Sequence, residues 1–217
     1  MALITAQDIL ALYVQRSNDL APMHSAMRQV KDIYDGSATV PLPDMGTDQG
    51  AAVPNLLAQG VDQMAGRIAS TSPMVAFAEG QTRRSQRQAR TAARVVGGWW
   101  QNDRLSQKMK HRARHLIAYG MSPCVIRLDQ RTKLPVWQVR NPLETFPSPG
   151  VIPGTSTPEN VIFAYRRSVA WLQANGYGEQ VAMILDPGDL RSPTDVELLL
   201  LEYVDPDQTC LCVTGYR

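Results

Sequence analysis

The feature that most constrains the fold is a single change of hydrophobic period near Gly120. Before this glycine, apolar residues recur at intervals of three and four, which is the period of an amphipathic helix. After it, short apolar runs are separated by turns rich in Gly, Pro, Asn and Asp, as in β-strands. The pattern predicts an α+β fold, in which a mainly helical portion at 1–120, with long basic helices, precedes an antiparallel β-rich portion at 121–217.

The helical portion is divided by capping and breaking residues. Thr5 and Asp8 have the spacing of a capping box at the start of the first helix. The longest helical stretch is predicted to break near Gly97-Gly98 or near Asn102-Asp103. A short strand is predicted at 73–78. The predicted helices cover residues 5–18, 22–34, 55–70 and 81–119, and residues 36–53 have the composition of a loop.

The β-rich portion is predicted to contain two hairpins. One turns at 129–133, and the other turns at Asp205-Pro206-Asp207. A short helix is predicted at 170–175, and residues 141–158 and 186–194 are predicted loops. The predicted strands cover residues 123–128, 134–139, 161–169, 181–185, 196–204 and 209–214. Because an edge strand needs covering, we expect the chain to be cut short, or ordered only in part, after Arg217.

The composition is that of an ordinary globular protein, with 44% apolar and 19% charged residues. The N-terminus has no basic region followed by a long apolar run, so no signal peptide is predicted. The longest apolar run, 198–201, is far below the roughly 20 residues of a membrane span. Cys124, Cys210 and Cys212 do not make a disulfide framework, and we interpret them as small buried side chains in a reducing compartment. We therefore expect a soluble protein that contacts no membrane.

Catalytic and cofactor motifs are missing from the sequence. His111 and His115 share a helix face, but Lys110 and two neighbouring arginines would repel a divalent metal. No Gly-x-Ser-x-Gly elbow, phosphate-binding loop or dinucleotide fingerprint occurs. We therefore predict that the protein is not an enzyme and that it has no cofactor and no metal site.

Basic residues are concentrated in the helical middle of the chain. Between Arg83 and His115 lie ten of the 22 lysines and arginines, and the only acid there is Asp103. Four of the arginines are spaced at three and four, so like charges share one helix side and repel by roughly a few tenths of a kcal/mol per pair. Three interpretations remain open: a solvated face, an interface to an acidic surface of a neighbouring subunit, or contact with DNA phosphates. The acidic residues at 186–207 are interpreted as a solvated face or as a patch that answers the basic side of another copy.

Five short sequence elements occur in a characteristic order along nearly the whole chain. They are Asp32-Ile33-Tyr34-Asp35-Gly36; Pro54-Asn55-Leu56-Leu57 with the helix pattern of 61–68; Trp99-Trp100-Gln101-Asn102-Asp103 with Ala118-Tyr119-Gly120-Met121-Ser122; Val139-Arg140-Asn141-Pro142-Leu143-Glu144-Thr145-Phe146-Pro147; and the strand patterns of 161–165 and 200–205. In this order they resemble the amino-terminal part of portal proteins of tailed bacteriophages, especially of siphophages infecting actinobacteria.

This resemblance implies a structural subunit of a portal ring, expected to be a dodecamer, at the capsid vertex of a virion assembled in the host cytoplasm. Such a homo-oligomer forms part of the channel through which double-stranded DNA is packaged and ejected. Its implied partners are the major capsid protein, the head–tail adaptor and, transiently, the large terminase subunit. Portal subunits are usually longer, so we expect this chain to be the peripheral wing, without the stem, clip and crown.

Under this hypothesis, a subset of the basic helical middle contacts a neighbouring subunit or faces phosphate groups. The candidate residues are Arg83, Arg87, Arg90, Arg94, Trp99 and Trp100. The alternative function is that of a basic DNA-binding or packaging accessory protein that contacts duplex phosphates.

Overall fold

The protein combines α-helices with antiparallel sheets, which confirms the predicted α+β class. The computed structural model describes residues 4–38, 55–70, 75–78, 80–149, 158–185 and 196–215. The helices are α1 Ala6–Asp19, α2 Ala21–Asp35, α3 Leu56–Ser70, α4 Arg83–Asn102, α5 Leu105–Tyr119, α6 Val169–Ala174 and α7 Gly178–Ile184. The strands are β1 Cys124–Leu128, β2 Pro135–Val139, β3 Thr145–Pro147, β4 Val161–Ser168, β5 Glu197–Val204 and β6 Thr209–Thr214.

The chain forms two compact units. Unit 1 comprises Met1–His24 and Leu143–Arg217, and unit 2 comprises Ser25–Pro142. The predicted portions 1–120 and 121–217 describe secondary-structure content, whereas the compact units group the chain differently. Helix α1 belongs with the C-terminal sheet, and the β1–β2 hairpin belongs with α3, α4 and α5.

Unit 1 is built around a four-stranded antiparallel sheet in the order β3-β4-β5-β6. Side chains alternate between its faces, so successive residues of β5 enter two different cores. One core contains Ile9 of α1 with Phe146, Ile162, Ala164, Leu199, Leu201 and Tyr203. The other contains Val169, Leu172, Val181 and Leu185 with Leu198 and Leu200. Because both faces are covered, β5 is apolar at consecutive positions.

A buried arginine connects α1 to this sheet. Arg16 is only 6% exposed, and its guanidinium donates to the Phe146 carbonyl at 3.1 Å and to Asn160 Oδ1 at 2.5 Å. Its Nε has no hydrogen-bond partner in the described part of the chain. Burial lowers the pKa of Arg16 from its usual value. The N-terminus of α1 has the predicted capping box, in which the Thr5 and Asp8 side chains each bond the other residue's backbone N–H.

In unit 2, α3 packs against α5, and the β1–β2 hairpin is bonded to the junction of α4 and α5. Asp103 accepts hydrogen bonds from the Lys108 ammonium and, at 3.0 Å, from the Trp137 backbone N–H. The helical stretch breaks at Asp103-Arg104, the second of the two predicted places, and Arg104 takes a left-handed conformation with φ 50°. Helix α5 ends, as predicted, at Gly120, whose φ of 73° favours glycine.

Three predictions of local structure are wrong. Residues 181–185 are not a strand, because Val181 and Ile184 lie on α7 and both face the second core. Of the strand predicted at 73–78, residues 75–78 are irregular and exposed and pair with no described strand, and residues 73–74 lie outside the described ranges. The segment 141–158, predicted as loop, contains a 3-10 turn at Pro142–Glu144 and strand β3. The loop residues 39–53 and 186–194 lie outside the described ranges. Within those ranges, no helix is long and apolar enough to cross a bilayer.

Candidate interface on the basic helix

Helix α4 is amphipathic, yet none of its 20 residues is buried against the described part of the chain. It begins after Thr82, whose hydroxyl accepts a hydrogen bond from the Ser85 backbone N–H at 3.2 Å. Four predicted site residues are exposed along one side of this helix, because a spacing of three and four returns each to nearly the same angle. They are Arg83, Arg87, Arg90 and Arg94.

The charges on α4 are unfavourable for an isolated chain. Arg83, Arg87 and Arg94 form no ion pair with any described residue. The first turn of α4 contains no acidic residue and begins with two arginines. Cations at a helix N-terminus oppose the helix dipole, and like charges one turn apart repel. An anionic surface placed against this side would remove both penalties.

An open groove of about 810 Å³ lies between α4 and the segment that precedes it. Its apolar lining includes Phe77 on one wall and Ala92, Val95 and Val96 on the other. Val95 is 60% exposed and Phe77 is 41% exposed. Three arginines, Arg83, Arg84 and Arg87, line the same groove. The groove therefore presents apolar and cationic side chains together.

Gly80 makes a close approach to the first turn of α4. A Cβ atom at this position would come within 2.6 Å of the Ser85 hydroxyl oxygen. Because this hydroxyl donates to the Thr82 carbonyl at 2.7 Å, a side chain at residue 80 would require the hydroxyl to rotate away or the turn to shift.

Sequence reasoning found the arginines but missed the groove. The signal for its apolar wall is a helical stripe of apolar residues, formed by Ala92, Val95, Val96 and Trp99. The contribution of Phe77 could not be predicted, because it depends on the turn before α4.

The two predicted tryptophans lie at the C-terminal end of α4 and are half-buried. The Trp99 indole N–H donates to the Pro135 carbonyl of β2, and the Trp100 indole N–H donates to the Ser106 hydroxyl at 3.0 Å. These bonds join α4 to β2 and to α5 within unit 2. The six predicted residues thus share one helix, with the arginines exposed and the tryptophans engaged inside the unit.

The arrangement on α4 is suited to binding rather than to acid–base chemistry. Its functional groups are guanidinium ions, which stay protonated and serve as hydrogen-bond donors. Among the described residues, no group of three or more His, Cys, Asp or Glu side chains could hold a metal ion. A surface with exposed apolar and cationic groups can bind an acidic surface that also carries apolar side chains.

No model of a known protein family matches this sequence, and a search of curated proteins found no significant match. The resemblance to phage portal proteins therefore depends on the sequence elements described above.

Proposed function

We propose that the protein is a structural subunit of a phage portal ring, in which α4 contacts a neighbouring copy. The observation that supports this most is the complete absence of buried residues on α4 within the described chain, despite its apolar stripe. Each exposed apolar side chain on the stripe gains about 25 cal/mol per Å² when a partner covers it. Structural assembly, rather than catalysis, is the role that such a helix supports.

The charge on α4 disfavours a contact of this helix with itself. If α4 lay against α4 of another copy, arginines would face arginines and like charges would repel. The contact should therefore join α4 to a different surface of the next copy, and such a contact, when it is head-to-tail, closes into a ring if the rotation permits. The sequence supplies an opposite charge: residues 186–207 contain seven acidic residues and one arginine. Six of these acids can take part, because Glu202 is buried in β5.

The ring hypothesis is tested by reversing charges on α4. The variant Arg83→Glu, Arg87→Glu, Arg94→Glu should remain folded by circular dichroism but should be monomeric by native mass spectrometry, whereas the wild type forms closed rings. The matched control Arg28→Glu, Arg67→Glu, Arg131→Glu has the same change of net charge at exposed sites away from α4 and should still form rings.

Two results would overturn the proposal. One is a ring of unchanged stoichiometry in the α4 variant. The other is a wild-type chain that stays monomeric at the highest concentration at which it remains in solution.

A DNA-binding accessory protein is the second candidate, because exposed arginines on one helix side also fit a phosphate backbone. That function predicts that log Kd for duplex DNA varies linearly with log salt, with a slope of about 0.9 per phosphate contacted. The α4 variant should lower this slope by the contribution of about three phosphate contacts, whereas the control variant should leave the slope unchanged. The apolar lining of the groove favours the ring, because Phe77 and Val95 offer nothing to a phosphate.

A further inference from the structure

A second cavity, of about 200 Å³, lies within unit 2 between α2, α3 and α5, away from α4. Its volume exceeds that of a few water molecules at roughly 30 Å³ each, so a phosphate-sized group fits. The lining is rich in nitrogen and hydroxyl groups. It includes Lys31, Tyr34, His111, Arg114, His115 and Tyr119, together with one carboxylate, that of Asp35.

Several hydrogen-bond donors that line this cavity have no acceptor among the described residues. Arg114 Nε donates to Asp62 Oδ1 at 2.7 Å, but the two Nη groups bond to no described residue. The Lys31 ammonium bonds to Asp35 and has two further N–H groups. The Tyr119 hydroxyl has no hydrogen-bond partner among the described residues. These donors could converge on one group of acceptor oxygens.

The two histidines of the cavity form a coupled pair. Their ring centroids are 4.3 Å apart, and the His115 ring is 5.8 Å from that of Tyr119. His115 Nδ1 is buried and has no hydrogen-bond partner within the described ranges. Burial and the neighbouring His111 lower the pKa of His115 to about 4, so the empty cavity keeps this ring neutral near pH 7.

The charges around the histidine pair are balanced while both rings are neutral. On α2, Lys31 pairs with Asp35 and also interacts with the charge of Asp32. Tyr34 of the same helix donates to Asp62 of α3 at 2.9 Å. On α5, Arg114 pairs with the same aspartate, and Lys110 and Tyr119 are the other titratable groups nearby. An anion added to this neutral set makes it negative and favours the charged form of the histidines. By linkage, protonation then strengthens anion binding.

We propose that this cavity binds a small oxyanion of the phosphate class together with a proton on the His111–His115 pair. The free Nη groups of Arg114 provide a fork that matches phosphate oxygens, with Lys31 and Tyr119 as further donors. This site is independent of the α4 contact, so it can hold or fail regardless of the ring hypothesis.

The proposal is tested by NMR of the histidine rings in the full chain. Sodium phosphate is titrated against sodium chloride of equal ionic strength in a zwitterionic buffer. The His111 and His115 signals should shift saturably with phosphate alone, and the pKa of His115 should rise by at least about one pH unit, which corresponds to about tenfold tighter binding of phosphate to the protonated form. His24, which packs against Phe146 in unit 1, serves as the internal reference.

Matched variants separate binding from general charge effects. Arg114→Gln and His115→Gln should abolish the phosphate response. Tyr119→Phe should weaken it, and this variant replaces Arg114→Gln in the test if Arg114→Gln does not fold. Arg28→Gln, which removes a positive charge on α2 outside the cavity lining, should leave the response unchanged. Between pH 4 and pH 5, proton uptake on binding should appear in calorimetry as a dependence of the heat on the buffer's ionisation enthalpy.

The proposal is wrong if the wild-type histidine signals respond equally to chloride and phosphate, if phosphate affinity is the same at pH 4 and pH 6, or if His115→Gln behaves as wild type. A response to a short DNA duplex without one to free phosphate would also overturn it and would favour nucleic-acid contact instead.

Discussion

Replacing Arg16 tests whether a buried cation stabilises unit 1 through hydrogen bonds to neutral acceptors. Among the described residues, the guanidinium bonds only to the Phe146 carbonyl and the Asn160 side chain, and no carboxylate pairs with it. Arg16→Ala would leave both acceptors without this donor and would open space beside α1. Arg16→Met would leave the acceptors equally unpaired but would keep the apolar stem.

The expected loss follows from three contributions. Each acceptor left unsatisfied costs about 1–3 kcal/mol. The two methylene groups lost in Arg16→Ala cost about 0.8 kcal/mol each. Against these losses, removing an uncompensated buried charge recovers several kcal/mol of desolvation. We expect Arg16→Ala to lower the free energy of unfolding by roughly 2–4 kcal/mol, and Arg16→Met to be less destabilising by about 1.5 kcal/mol, the contribution of the stem.

The assay is urea unfolding of wild type and both variants, with native-state amide exchange as a local probe. Faster exchange should appear at β4 and β5, and the α3 amides serve as an internal reference. If Arg16→Ala unfolds at the same urea concentration as wild type, the side chain is not buried between α1 and the sheet. If Arg16→Met is as destabilising as Arg16→Ala, stem packing contributes nothing and the hydrogen bonds account for the whole effect.

Three further perturbations test unit 2. Asp103→Ala removes the acceptor of the Trp137 backbone N–H and should cost about 1–2 kcal/mol, seen as a lower thermal midpoint and altered tryptophan fluorescence; an unchanged midpoint would contradict the bonding of the hairpin to the helix junction. Folding lowers the pKa of His115 from its usual 6.5 to about 4. The free energy of unfolding should therefore be highest above pH 6.5 and should fall as the pH drops towards 4, because the unfolded chain then binds a proton that the folded protein does not. Discounted for solvent screening, the loss should be about 1–2 kcal/mol, and urea midpoints of His115→Gln should not show it. A Cβ at Gly97 or Gly98 meets no atom within 4 Å, so Gly→Ala at either should raise stability by about 1 kcal/mol in calorimetry; a decrease would mean that the surrounding space is occupied.

Local signals in the sequence were sufficient for the helices that carry their own caps. Thr5 with Asp8 predicted the start of α1. Gly36, whose φ is 75°, ends α2 as the sequence predicted. The prediction of a strand at Val181–Leu185 was wrong because a short apolar run is compatible with both the helical and the strand period. Packing decides the outcome: Val181 and Leu185, four residues apart, lie on the same side of a helix and enter one core.

Long-range arrangement was beyond the sequence signals. Nothing in residues 6–19 indicates that α1 packs on strands more than 120 residues later, since the stripe of Ile9 and Leu12 specifies an apolar partner without identifying it. The same limit applies to the cavity in unit 2. His111 and His115 were recognised as neighbours on one helix face, but Lys31 comes from a distant helix, so the donor-rich lining could not be foreseen.

The two ends of α4 differ in what stabilises them, and this difference locates the proposed contact. At the C-terminal end, Trp99 and Asp103 bond to the β2 strand. Towards the N-terminus, the arginines repel one another. Gly97-Gly98, at about 1 kcal/mol per glycine, weaken the helix between this half and the anchored Trp99. Helical structure of this length is marginal without tertiary packing, so the N-terminal half gains most from a partner that covers the groove and neutralises its charge. A neighbouring subunit should therefore contact Arg83 and Arg87 more closely than Arg94, because the first two line the groove and the third does not.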